Sequence, residues 1–123
     1  MVLDTIEGVA AGTLLRGELA SDFIPARPLD IWLPSSYDGT QKHNVLYMYD
    51  AQMLFDATTT WNGQEWRVDE ILDSLIIDDV ITPTIVVALY NGGQRRNFEY
   101  FPQKPAAQLQ AAFSDSVLSE ISK

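Results

Sequence analysis

Along this chain the spacing of apolar and polar residues changes period several times, and each change marks an element. TLLRGEL, from Thr13 to Leu19, has the composition of a strand, although Gly17 interrupts its alternation. PLDIWLP sets Leu29, Ile31 and Leu33 at every second position with Asp30 and Trp32 between them, and Pro28 and Pro34 stand at its ends. A period of two fenced by prolines predicts a half-buried strand. SSYDGTQKHN then reads as a turn-rich connection that reverses at Asp38-Gly39. VLYMYD, from Val45 to Asp50, is apolar almost without interruption, the pattern of a strand covered on both faces.

In RVDEILDSLIIDDV the period lengthens. Val68, Ile71, Leu72, Leu75 and Ile76 recur at helical spacing and draw one apolar stripe. Asp69 and Glu70 fall in the first turn, where carboxylates complement the helix dipole, whereas Asp78 and Asp79 fall near the unfavourable end. TIVVAL is a second buried strand rich in β-branched residues, entered through Pro83 and left at Asn91-Gly92-Gly93. The tail AAQLQAAFSDSVLSEISK places Leu109, Phe113, Val117 and Ile121 four apart, which predicts one helix or two short ones.

Two apolar strands joined by a helix form a βαβ unit, so the predicted class is α/β, a mostly parallel sheet flanked by helices. The 123 residues fit a single domain over 1–123. In such sheets ligands collect at the carboxyl ends of the strands. DAQMLFD after one strand and YNGGQRRNFEYFP after the next are therefore expected on the same functional edge.

Charge narrows the partners. Seventeen acidic residues against eight basic ones give a formal charge of −9, which repels phosphate backbones and anionic lipid, so neither nucleic acid nor a membrane is expected. There is no cysteine, hence no disulfide, thiolate metal site or cysteine nucleophile. The first residues carry Asp4 and Glu7 and no early Lys or Arg, unlike a secretory leader, and a cytoplasmic protein is expected.

Candidate chemistry is sparse. None of the eight serines lies in a Gly-x-Ser-x-Gly elbow. His43 is the only histidine and precedes a strand, which suits a solvated loop residue better than a base. Asp50, Asp56, Asp69 and Glu70 fit no calcium-loop spacing, and no cofactor or metal is expected. Asp50 and Asp56, at loop positions, suit acceptance of backbone N–H bonds. Trp61 and Trp66, with Tyr90, Tyr100 and Phe101, suit either an aromatic pocket for an acyl, aryl or sugar group or plain core packing. Arg95 and Arg96 suit a substrate anion or an ion pair with Glu99.

DIWLPSSYD, NVLYMYDAQMLFD, VDEILDSLI, ITPTIVVALYNGG and RRNFEYFP stand here in an order that resembles the amino-terminal portion of the Putative esterase family. That family groups esterase D-like, enterochelin esterase-like and feruloyl esterase-like enzymes of the α/β-hydrolase fold. The resemblance implies a serine esterase acting on a small-molecule carboxylic ester. It implies an oxyanion-hole loop at Asp50, Ala51 and Gln52, and a substrate pocket drawing on Trp61, Trp66, Asn91, Arg96 and Tyr100. This chain has Tyr49-Asp50-Ala51-Gln52 where many relatives carry His-Asp-Gly-Gln, so an L side chain occupies a glycine position. The nucleophile, acid and histidine are expected beyond residue 123, so this partial hydrolase domain, lacking its carboxyl-terminal half, is expected to be inactive alone. By the family's strand order VLYMYD becomes an edge, and pairing through Val45 to Tyr49, with a second copy or with the carboxyl-terminal half, is expected. The rival reading is a non-catalytic binding or homo-oligomerisation module built on the same half-sheet.

Overall fold

The first strand is one that apolar spacing does not mark. In the computed structural model, which describes residues 1–97, Asp4–Ile6 forms β1 and pairs antiparallel with β2 (Thr13–Leu19). β2 pairs antiparallel with β3 (Arg27–Leu33), and β3 with β5 (Thr84–Leu89). β4 (Asn44–Met48) lies parallel to β5, and α1 (Val68–Ile77) falls between these two strands in sequence. The sheet order is β1-β2-β3-β5-β4. The chain divides into two compact units, Met1–Tyr90 and Asn91–Lys123, and the sheet and α1 belong to the first. The four-residue apolar spacing of Leu109 to Ile121 lies outside the described residues.

The class is α/β, and its sheet is mixed, which corrects the expectation of a mostly parallel one. Among the described residues only β4 and β5 pair in parallel. Short connections between β1, β2 and β3 reverse the chain and make hairpin neighbours, whereas β4 and β5 are separated by the helix that a parallel crossover requires.

The register explains which residues are buried. Leu14, Trp32, Val86 and Leu46 align across β2, β3, β5 and β4, and Arg16, Asp30, Ala88 and Met48 form the next row of the same face. Leu14, Trp32, Val86 and Ala88 from this face join Ala51, Leu54, Phe55, Val68 and Ile76 in the core. In β3, therefore, Trp32 and Asp30 are fully buried while Ile31 and Leu33 are only partly so, the reverse of what polarity suggests. Asp30 tolerates this because Arg16 beside it forms two hydrogen bonds to its carboxylate.

α1 shows the same inversion. Val68 and Ile76 are buried and Leu72 packs on the core, but Ile71 of the predicted stripe is exposed. Asp69 and Asp73 are buried instead, as acceptors. The Asp69 carboxylate accepts N–H bonds from Ala10 and Ala11 at 3.1 and 3.2 Å, and Asp73 accepts from the N–H and hydroxyl of Ser35 at 2.8 and 3.0 Å. One helix face thus fastens two distant loops to the sheet. At the other end Asp79 adopts the left-handed conformation, φ 58°. Its N–H donates to Ile76 and that of Val80 to Leu75, which closes a Schellman motif. Aspartate is one of the few non-glycine residues that accepts this conformation readily, which accounts for an acid at an electrostatically poor end.

β4 corrects the expectation of a strand covered on both faces. Val45, Leu46 and Tyr47 are 48%, 40% and 74% exposed. The strand is the edge of the described sheet, so its apolar letters record what could cover it and not what does.

Candidate functional site

β4 ends at Met48, and the chain turns at Asp50, which takes the left-handed conformation with φ 58°. A 3₁₀ turn follows over Ala51–Met53, closed by the Met53 N–H on the Asp50 carbonyl at 2.9 Å. Ala51 and Gln52 are the first two residues of that turn. The positive φ falls on Asp50 and not on Ala51, so the alanine at the glycine position sits without strain inside the turn.

The loop is held from beneath and from both sides. Ala51, Leu54 and Phe55 are buried in the core. Asp56 caps a second 3₁₀ turn, Ala57–Thr59, by accepting the Thr58 N–H at 2.8 Å, as its loop position predicts. Asp50 makes no corresponding side-chain cap on its own turn. The Thr59 hydroxyl lies 2.6 Å from the Gln52 carbonyl and donates to it, which ties the second turn back to the first. Two further bonds, Trp66 N–H to Met53 at 2.7 Å and Val68 N–H to Leu54 at 3.0 Å, fix the approach to α1 alongside the same loop.

The structure therefore joins the Trp66 backbone to Met53, the last residue of the turn that follows Asp50. Trp66 is 54% exposed and Trp61, on the connection between Thr59 and Trp66, is 86% exposed, so packing in the core does not account for them. Asn91 and Arg96 belong to the second unit, where the Asn91 side-chain oxygen accepts the Gly93 N–H at 2.8 Å ahead of a 3₁₀ turn over Gly93–Arg95. Tyr100, like Phe101 and Glu99, lies outside the described residues. His43 sits at the amino end of β4, the end away from Asp50, with Nδ1 3.0 Å from the Gln41 carbonyl and its ring against Tyr37.

Charged groups missed by apolar spacing lie in the same unit. Arg16 Nε and Nη2 donate to Asp30 at 2.7 and 3.1 Å, the Tyr90 hydroxyl donates to the same carboxylate at 3.3 Å, and the Arg16 guanidinium stands 5.3 Å from the Tyr90 ring centre. The hydrogen bond to Asp30 raises the Arg16 pKa. Burial, then the Asp30 charge, pushes the Tyr90 phenol up to about 12. Burial also raises Glu65, and the charges of Asp69, Glu70 and Asp56 add to the effect. Only the cross-strand register could have revealed the Arg16–Asp30 pair, because fourteen residues separate the two in sequence. Among the described residues no group of three His, Asp or Glu side chains is arranged to hold a metal ion, and no helix is long and apolar enough to cross a membrane.

Residues 25–121 match the family described as Putative esterase. No curated protein matches the chain. A solved structure described as that of FAE is 21% identical, with 85% of this chain and 37% of that one covered, at a TM-score of 0.48. The chain thus spans well under half the length of that protein, and the likeness is too loose to bear on the site.

Proposed function

The chain belongs to the Putative esterase family, and from that premise we propose that it is the amino-terminal part of a serine esterase that hydrolyses a small-molecule carboxylic ester. The observation that carries the reading is the family match over residues 25–121, which includes the braced turn at the carboxyl end of β4. In this reading the N–H of Ala51 or Gln52 is one donor to the oxyanion of the tetrahedral intermediate. A rigid turn suits that task, since a donor already in place costs no reorganisation as charge develops and is worth about 2.7–4 kcal/mol in the transition state. The exposed rings of Trp61 and Trp66 border the acyl or aryl pocket in this reading.

The 123 residues hold no Gly-x-Ser-x-Gly and a single histidine at the wrong end of β4, so in this reading they do not turn over esters alone. The test is a fluorophosphonate serine probe read by intact mass. No adduct on this chain is expected, with labelling and ester hydrolysis appearing when a carboxyl-terminal half that carries the nucleophile, acid and histidine is supplied. Rapid stoichiometric labelling of the 123 residues themselves would overturn the division of labour. The exposed apolar side chains of β4 at the edge of the described sheet favour a second reading, a non-catalytic homo-oligomerisation module.

A further inference from the structure

We propose that Asn62 is a site of spontaneous deamidation, in which the backbone nitrogen of Gly63 closes on the Asn62 side-chain amide and expels ammonia. Aspartate and isoaspartate are left between the exposed rings of Trp61 and Trp66. The inference does not rest on the esterase reading. Every protein group that takes part lies within residues 62–64, so all are in place whatever the rest of the enzyme adds.

Ring closure forms a bond between Gly63 N and Asn62 Cγ and breaks the bond from Cγ to Nδ2. The Gly63 proton leaves with Nδ2 as ammonia. Water then opens the cyclic imide at Cγ, giving aspartate, or at the backbone carbonyl, giving isoaspartate, in which the main chain runs through the side chain. Either product adds a negative charge. The local structure favours this attack. Gly63 has no side chain to screen its nitrogen, its φ is 72°, and the space where a Cβ would stand is open. The Gln64 N–H donates to Asn62 Oδ1 at 3.1 Å. Negative charge develops on that oxygen as the tetrahedral intermediate forms, so a donor already in place lowers the barrier. Residues 61–64 are exposed and belong to no helix or strand, so water reaches them and no ladder bond has to break.

Other positions lack part of this arrangement. Asn44 and Asn97 precede Val45 and Phe98, whose side chains hinder the attacking nitrogen, and Asn44 is also held in β4. Asn91 precedes a glycine and accepts the Gly93 N–H at 2.8 Å, but it is half-buried. Gly92 there caps the 3₁₀ turn over Gly93–Arg95, and its carbonyl accepts the Arg95 N–H at 3.2 Å, which holds it in place. Asp38-Gly39 has the open glycine, φ 79°, and the turn bond, from the Thr40 N–H at 2.9 Å. Its side chain is an acid, however. The backbone N–H and hydroxyl of Thr40 hold the Asp38 pKa below its ordinary value, and a carboxylate offers no leaving group. In the esterase reading the change at Asn62 falls on the border of the acyl or aryl pocket.

The test holds the folded full chain at mildly alkaline pH and physiological temperature and follows each site by peptide mapping with isoaspartyl methyltransferase labelling. Asn62 should convert first, at least about fivefold faster than Asn91, with isoaspartate among the products and a rate that rises with pH. In urea, where the fold no longer separates the two sites, their rates should agree within about twofold. Gly63→Ala should slow conversion at Asn62 about tenfold or more with the circular dichroism unchanged. Conversion of Asn91 or Asp38 ahead of Asn62 in the folded chain overturns the proposal. So does an Asn62 that converts more slowly folded than in urea, or one that yields aspartate alone, the mark of direct hydrolysis. Fluorophosphonate labelling is indifferent to each of these outcomes, so this proposal and the esterase reading fail separately.

Discussion

Gly12 stands where no side chain fits. Its φ is 71°, and a Cβ there would lie 2.3 Å from the Leu33 carbonyl oxygen and 2.7 Å from Trp32 Nε1. The same indole N–H donates to the Ala11 carbonyl at 2.9 Å, so the glycine and the buried tryptophan form one joint between the amino-terminal segment and the core. Gly12→Ala should cost about 2–4 kcal/mol from left-handed strain and overpacking together, read from urea unfolding. An unchanged midpoint would mean that the segment moves aside. Tyr90 offers a pH test. Its folded pKa, about 12, lies above the ordinary value of 10.0, so folding favours the neutral phenol. That contribution is complete below pH 10 and is lost as pH rises towards 12, and Tyr90→Phe should remove this part of the alkaline loss of stability. Neither residue announces itself in the sequence. Gly12 reads as an ordinary turn glycine, and Tyr90 as one more aromatic after a strand, because what distinguishes them is contact with residues far away in the chain.

Among the elements, α1 and β5 were legible because period and composition agree with what they bury. Apolar spacing locates the helix within a residue or two, yet it assigns part of the wrong face, since Ile71 is exposed while Asp69 and Asp73 go inside. A carboxylate that receives N–H bonds from a distant loop is written with the same letter as one that faces water. β4 differs: its letters are those of a covered strand, yet Val45, Leu46 and Tyr47 are exposed at the edge of the described sheet, the position the family's strand order implies. The helix end carries its own prediction. Asp79→Gly keeps the Schellman bonds, relieves the left-handed strain and removes an acid from the negative end of the dipole. A gain of about 0.5–1.5 kcal/mol is expected in thermal or urea unfolding. A loss would show that the Asp79 carboxylate has a partner of its own.

For the molecule as a whole, the sequence showed the α/β class and the family, and it pointed to the loop after β4 as the place to look. It did not show the direction in which most strands pair, since the pairing partner of a strand is set by connections and packing and not by its own composition. The joint between Asp69 and the Ala10 and Ala11 amides also has a kinetic meaning. Those bonds span 59 and 58 residues and join an irregular segment near the amino terminus to a helix in the middle of the chain. Neither amide can be protected until α1 has docked, so both should exchange with deuterium at the rate of the slowest helix amides, far slower than their neighbours in the same loop. Two such amides outside any helix or strand would serve as reporters of the docking of α1, and in Asp69→Asn they should exchange many times faster while the amides of β5 keep their protection.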